Sequence, residues 1–552
     1  MSRPLVAAIF ALTATPALAD LTAEEVLADH LNLLGGYGLI DMATTATTEA
    51  PDGLTVAGFV GRHEDDDTSV EILTPGMSLI EQTDGSVRIA YADSLPITIN
   101  VDAKDEDPVS LTLVLNTVGL THHVSGNPND IQHDIAFDTL SVGDVIVDPP
   151  KAVEELNLSA DIAIAGFAST IRLTNDTPAR RSVDLDVAGL RMVMSMLLPA
   201  DINIDTPGTT YDAVGNGETD LTFALTDLST RIGYLDGTLP RHSMTTTLGQ
   251  IQWDQSSVMT GEAGGIDMSL NGRDMAISYD VEMDFEAMED DFLQALLDGQ
   301  TMSGALNFAG LDYDFGISTP EGTFASATSS GASENRFSLS ENGAVFFSDS
   351  VASVVDMGGP ALGLPITSLG YSVGRALIDL AIPMTPSDDP QPFHFRMALE
   401  DVSTDDAIWN IFDPERRLSR APASLAFDLD GTTVVEENPF TNDPDVPFRD
   451  TEARLNDFRL SIAGAEVTGD GSVIDTSTDG VPSGIGELNM TLTGVNTLID
   501  TLVDMGLLPN EQAMGARMGL SLIARPDGDD RLISKIEVNE EGQIFANGQR
   551  LK

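Results

Sequence analysis

Gly370-Tyr371-Ser372-Val373-Gly374 has the Gly-x-Ser-x-Gly spacing of a hydrolase nucleophile elbow. In that elbow a serine on a sharp strand-to-helix turn attacks an acyl carbon. The chemistry needs a helix after the serine. The residues that follow, Leu377-Ile378-Asp379-Leu380-Ala381-Ile382-Pro383, alternate like a strand instead. A serine-type hydrolase built on Ser372 is therefore the remotest of three functional readings. His122, His123 and His133 stand near Asp130 and Asp134, and these are donor types that bind zinc. Neighbouring side chains on a strand point to opposite faces, so His122 and His123 do not share one ion. This segment predicts exposed polar histidines and no metal. The acidic runs Glu64-Asp65-Asp66-Asp67 and Asp388-Asp389 lack the alternating spacing and central glycine of a calcium loop. With no cysteine in the chain, disulfides, thiolate metal sites and a cysteine nucleophile are excluded. The residues thus predict a protein that is not an enzyme, with no catalytic, cofactor-binding or metal site.

The elements that carry these residues read mainly as strands. Met275, Ile277, Tyr279, Val281, Met283 and Phe285 alternate with polar or small residues. So do Leu311 to Ile317, Phe393 to Leu399 and Leu156 to Ile164. One apolar and one wet face per strand is the pattern of antiparallel sheet. Asp84-Gly85, Asp236-Gly237, Asn271-Gly272, Asn342-Gly343, Asp430-Gly431, Asp470-Gly471 and Glu541-Gly542 punctuate the runs as hairpin turns. No strict repeat marks a solenoid or propeller, although the recurrence of strand, glycine turn and strand is compatible with a degenerate internal duplication. Helices are predicted over 21–34, with Thr22 and Glu25 as its capping box, over 287–297, and as a hairpin near 495–524. The expected fold is mainly β (α+β): an extended, curved antiparallel sheet of many hairpins with a few helices packed on one face.

Arg3, the apolar run Leu5 to Leu12 and Ala17-Leu18-Ala19 read as a cleavable signal peptide over 1–19. The expected divisions after it are a β-rich part over 20–285 and a second over 286–552, with a long acidic surface loop at 436–450. No later apolar run is long enough for a transmembrane helix. The chain carries 88 Asp and Glu against 27 Lys and Arg, for a net charge of −61. Such a surface repels nucleic acid and anionic headgroups. The acids are spread along the whole chain, the pattern of a surface adapted to a saline habitat. Aromatics are 5 % of residues, too few for the girdles of an outer-membrane barrel.

Ala407-Ile408-Trp409-Asn410-Ile411-Phe412-Asp413-Pro414, then Leu418 to Ala423 and the strand Ser424 to Asp430, resemble a signature of the "domain of unknown function 2125" family. The strand 391–399, the helical hairpin 495–524 and the closing segment Gly542 to Gly548 fit the same resemblance. It implies a secreted or membrane-anchored protein of alphaproteobacteria and brings no catalytic residues with it. The closing hairpin is also loosely similar to AsmA-like periplasmic envelope proteins, which are linked to lipid traffic.

The half-apolar strands outnumber the helices available to cover them. The first reading is accordingly a noncatalytic periplasmic cell-envelope protein that binds a lipid or amphiphile on an apolar sheet face. Met192, Met194, Met196, Met275, Met283 and Met397 either line that groove or fill an ordinary core. The second reading is a structural scaffold that binds an envelope protein partner and no ligand.

Overall fold

The computed structural model describes residues 21–34, 41–64, 68–103, 108–150, 159–175, 177–198, 203–206, 209–212, 217–259, 264–284, 292–319, 322–359, 368–439, 448–475 and 484–552. The signal peptide, Gly35-Gly36, Asp65 to Asp67, Phe285 and most of the acidic loop 436–450 lie outside them. The chain forms two units, Met1–Glu154 with Asp161–Ala188, and Glu155–Ala160 with Gly189–Lys552. The fold is mainly β, as expected, and every pairing described is antiparallel.

Unit 1 opens with α1 (Ala23–Leu34). Its capping box forms as the sequence predicts: the Thr22 N–H donates to Glu25 Oε2 at 3.0 Å, and the Glu25 N–H to Thr22 Oγ1 at 3.2 Å. Strands β1 (Asp41–Thr44) and β2 (Thr47–Ala50) pair with β3 (Gly53–Glu64), which pairs with β4 (Thr68–Glu81). β4 then serves two short strands. Its C-terminal part pairs with β5 (Val87–Ala90), and its N-terminal part with β6 (Ser94–Ala103). β6 pairs with β7 (Val109–Val118), and β5 pairs with β8 (Thr121–Asn127). β7 and β8 converge on β9 (Asp130–Asp148), which pairs with β10 (Ser159–Thr174). β11 (Arg180–Leu198) and the ribbon β12 (Asn203–Thr206) and β13 (Thr209–Asp212) follow in the chain.

Unit 2 repeats this connectivity. β14 (Gly217–Leu235), β15 (Arg241–Met259) and β16 (Gly264–Glu282) form a meander of long strands. The C-terminal part of β16 pairs with β17 (Thr301–Phe308), and its N-terminal part with β18 (Gly310–Thr319). β18 pairs with β19 (Gly322–Ser330), and β17 with β20 (Ser333–Ser340). β19 and β20 converge on β21 (Gly343–Gly358), which pairs with β22 (Ser368–Ile382). The order from β4 to β10 therefore recurs from β16 to β22. Each copy holds a core cluster under a helix, α1 in unit 1 and the short helical stretch 292–297 in unit 2. The degenerate duplication is present as topology, without sequence periodicity to announce it.

A meander completes unit 2: β23 (Gln391–Thr404), β24 (Ala423–Val435), β25 (Phe448–Ile462), β26 (Ala465–Asp475) and β27 (Gly484–Thr493). Helix α2 (Asp406–Phe412) lies between β23 and β24. The predicted hairpin is α3 (Val495–Asp504) and α4 (Asn510–Ile523). β28 (Arg525–Pro526), β29 (Arg531–Val538), β30 (Ile544–Ala546) and β31 (Gln549–Arg550) close the chain.

Three of the expected turns run inside strands. Asn271-Gly272, Asp430-Gly431 and Asp470-Gly471 lie within β16, β24 and β26. Their glycines answer to crowding and not to a turn. A Cβ on Gly431 would stand 2.1 Å from the Glu452 carbonyl oxygen, and one on Gly471 2.4 Å from that of Glu487.

The long strands also contain phase breaks. Asp227, Asp274, Ala352 and Asp401 hold left-handed backbone in β14, β16, β21 and β23. One such residue shifts the alternation, so apolar residues on both sides of it face the same way. In β16, Gly272 lies against Met275 from across the break and against its cross-strand partner Ile251.

Candidate functional site: an apolar sheet face

Following the register from strand to strand in unit 2 traces one row of side chains. It runs Ile232, Met244, Tyr279, Gly304, Phe337, Phe346, Leu380, Phe395, Leu429, Leu455, Gly471, Leu488, Ile536 and Ala546. These residues belong to successive strands, and none is charged. At about 4.8 Å between strands the row is about 60 Å long. The row beside it adds Ile277, Leu306, Ile378, Met397, Phe427, Phe458 and Met490, with Asn335 and Ser348 between Leu306 and Ile378.

The opposite face is wet. Its matching row runs Ser243, Asp280, Ser303, Ser338, Val345, Ala381, His394, Asp430, Arg454, Ser472, Glu487 and Glu537, polar at all but two of these positions. Ion pairs cross it, Arg241 to Asp280 at 2.6 Å and Lys535 to Glu537 at 2.9 Å. Hydrogen bonds from Lys535 to Glu537 and Glu487 raise its pKa above the usual lysine value. Arg375 donates to Asp349 through two nitrogens at 2.9 Å and holds that carboxyl below its usual range.

Helices cover only parts of the apolar face. Leu296 of the stretch 292–297 packs on Met283 and Met384, beside Val281, Met302, Leu339 and Ala344. α3 packs on β26 and α4 on β29, and the Ser534 hydroxyl donates to the Ile523 carbonyl at 2.6 Å. Between these covers the row stays open: Tyr279 is 37 % exposed, Phe337 37 % and Phe346 44 %. A concavity of about 660 Å³ is lined by Leu429, Ala453, Leu455, Val473, Leu488, Ile536 and Val538, among others. A second, of about 750 Å³, is more polar and sets Met268, Phe315 and Met357 among Asp220, Asp254, Asp267, Asp314 and Asp356.

The residues singled out from the sequence fall in several places. Ser372 lies inside β22, and its hydroxyl shares a 2.7 Å hydrogen bond with that of Ser403. No strand-to-helix turn follows it. The flanking glycines have a structural cause: a Cβ on Gly370 would meet Asp356 Oδ1 at 2.6 Å, and one on Gly374 would meet Asp401 Cβ at 2.8 Å. Met283 is core, whereas Met275 and Met397 are half-buried on the apolar face. Met192, Met194 and Met196 are half-buried in β11.

The expectation of exposed histidines holds for His123 and is overturned for His122 and His133. His122 is 2 % exposed and His133 is fully buried, in unit 1. The pair that meets is not 122 with 123. His122 and His133 sit in adjacent rows of one face, opposite Ile135 and Val124 across the β8–β9 ladder. Tyr91 Oη, His122 and His133 link at 2.9 Å each, and His133 Nε2 reaches Asp29 Oδ2 at 2.8 Å. The proton order follows from Asp29, whose carboxylate only accepts. His133 Nε2–H donates to it and His133 Nδ1 accepts from His122 Nε2–H. His122 Nδ1 in turn accepts the Tyr91 hydroxyl proton. The hydrogen bond between the rings uses the nitrogens that a shared ion would need, and among the described residues no cluster is arranged to hold a metal.

The signature segment forms a polar knot at α2. Asp413 is buried and accepts from the N–H groups of Arg417 at 2.9 Å and Leu418 at 3.0 Å. Burial acts to raise its pKa, but these hydrogen bonds and the nearby arginines outweigh it, and the carboxyl stays below its usual value. Arg420 binds Asp406, Asn410 and the Asp413 carbonyl. The motif's polar residues are thus spent on holding the loop that joins α2 to β24.

No curated protein and no solved structure matches the chain. Residues 317–539, all in unit 2, match a family described as uncharacterized protein conserved in bacteria (DUF2125). The match is narrower than the resemblance read from the sequence, since Gly542 to Gly548 lie beyond it. It contains the signature loop, the strand 391–399 and the α3–α4 hairpin, and through these residues the chain is similar to the DUF2125 family.

Proposed function

We propose that this chain is a noncatalytic cell-envelope protein of the periplasm that binds lipid or another amphiphile on the apolar face of unit 2. The observation that carries the reading is the uncharged row across the sheet, open in its middle, with a row directly behind it that is charged or polar at most strands. Exposed apolar surface of this extent marks a binding surface in a soluble protein. The leader-like Arg3, Leu5 to Leu12 and Ala17-Leu18-Ala19 support the location.

The geometry also limits the ligand. One leaflet of hydrocarbon is about 15 Å thick, so a row of about 60 Å takes more than one acyl chain. A net charge of −61 disfavours anionic headgroups. Neutral or zwitterionic amphiphiles, several per chain, fit best.

Trp253 tests the reading. It lies in β15 between Phe223 and Leu270 and is 40 % exposed. In a Trp409→Phe background it is the sole tryptophan. Zwitterionic phospholipid brominated in its acyl chains is expected to quench at least half of its emission. A protein scaffold that binds no lipid shows quenching no greater than with the unbrominated lipid.

A further inference from the structure

The two core clusters occupy the same place in a repeated topology, yet they are built from different chemistry. In unit 2 the stretch 292–297 is held by Met283, Leu296 and Met384 with Val281, Phe292, Leu293, Met302, Leu339 and Ala344. None of these side chains titrates. In unit 1, α1 rests on apolar side chains and on the imidazoles of His122 and His133, and it brings a third, His30. His30 of α1 is 8 % exposed, and its ring lies 5.8 Å from those of His122 and Phe59. The rings of His122 and His133 are 5.2 Å apart.

This arrangement has no room for a second positive charge. The chain from Tyr91 to Asp29 uses both nitrogens of His122 and both of His133. His30 Nδ1 is buried and has no hydrogen-bond partner. Among the described residues, the titratable groups facing the cluster are Asp29 and His30 from α1, Tyr91 after β5, His122 from β8 and His133 from β9. β3 contributes only Phe59. Arg88, His123 and Asp134 form the row on the other face of the sheet. One carboxylate therefore serves three imidazoles.

We propose that this cluster is a pH-operated latch, in which protonation of the imidazoles expels α1 from the sheet of unit 1. α1 supplies both Asp29 and His30 and roofs the other two rings, so its departure is the movement that hydrates all three. Burial, followed by the neighbouring imidazoles, pushes His122 down to about 3. Burial and His133 push His30 down to about 4. Both are neutral while α1 is docked at pH 7. At neutral pH α1 is also held by the Ala23 N–H donating to Glu81 Oε1 at 2.9 Å and the Leu21 N–H to the Gly85 carbonyl at 3.1 Å.

The stretch 292–297 is a control within the same chain. Hydrogen–deuterium exchange of the full chain, corrected for intrinsic rates, is followed from pH 7.5 to 4. Peptides of α1 are expected to lose protection at least tenfold, while β3, β9 and 292–297 keep theirs. Constant protection of α1, or its loss in step with 292–297 or with the strands of unit 1, overturns the latch. His30→Leu removes the imidazole that has no partner and is expected to move the loss at least half a pH unit lower. An unchanged midpoint in that variant contradicts the cluster as the cause. The wild-type comparison decides the question alone if the variant does not fold.

Discussion

Phe337→Lys combined with Phe346→Glu is expected to lower lipid occupancy at least tenfold while leaving the fold intact. The two residues are cross-strand partners at the open middle of the apolar row. Each offers an acyl chain aromatic surface worth about 1.5–3 kcal/mol when fully covered. The substitutions remove that surface and place charge where an apolar chain would lie, at a further desolvation cost. Two losses of this size exceed the 1.4 kcal/mol that corresponds to tenfold in affinity. Opposite charges on facing strands support the pairing, so the sheet is expected to survive. The control is Ser338→Lys with Val345→Glu, a partnered pair on the same two strands and the opposite face. Occupancy measured by native mass spectrometry should fall in the first variant only. Equal occupancy in both variants, or an equal loss, removes the apolar row as the binding surface.

The second large effect is on stability against acid. His30 and His122 have native pKa values below the unfolded value of about 6.5. Above pH 6.5 both states are neutral and the full stability is present. As pH falls below 6.5 the unfolded chain takes up protons first, and stability is lost until the native groups titrate, at about 4 for His30 and about 3 for His122. His30 alone is expected to cost about 2 kcal/mol between pH 7 and pH 5. The contribution of His122 does not simply add, because each ring's charge opposes the other's. Carboxylates titrate mainly below this window, and neutralising some of the −61 net charge relieves repulsion. Urea unfolding of the wild type and His30→Leu at pH 7 and pH 5 checks the sign. The wild type should lose more stability than the variant. The same loss in both would mean that the acid effect arises elsewhere.

The strand content was legible because alternation over 275–283, 311–317 and 393–399 is set by local facing, which a sequence displays directly. The α1 capping box was legible for the same reason, since Thr22 and Glu25 are three residues apart. What escaped depended on partners distant in sequence. The alternation resets at Asp227, Asp274, Ala352 and Asp401, so no single strand shows that its two halves share a face. The glycines at 272, 431 and 471 look like turn residues, yet they answer to neighbouring strands. Gly370 and Gly374 mimic an elbow because Asp356 and Asp401 fill the space where their side chains would be. The histidines were misplaced because adjacency in sequence drew attention to 122 and 123. The meeting of 122 with 133 is a matter of register. A reader could have found it from two histidines spaced across a tight β8–β9 hairpin on one apolar face. Asp29 and His30 could not be joined to them without the fold.

The proposed lipid site is the apolar face of unit 2. Native mass spectrometry of the chain purified without detergent, with organic extraction of whatever is bound, tests it most directly. More than one amphiphile per chain is expected, with neutral or zwitterionic headgroups predominating. An apo mass that persists after incubation with zwitterionic phospholipid vesicles would contradict it.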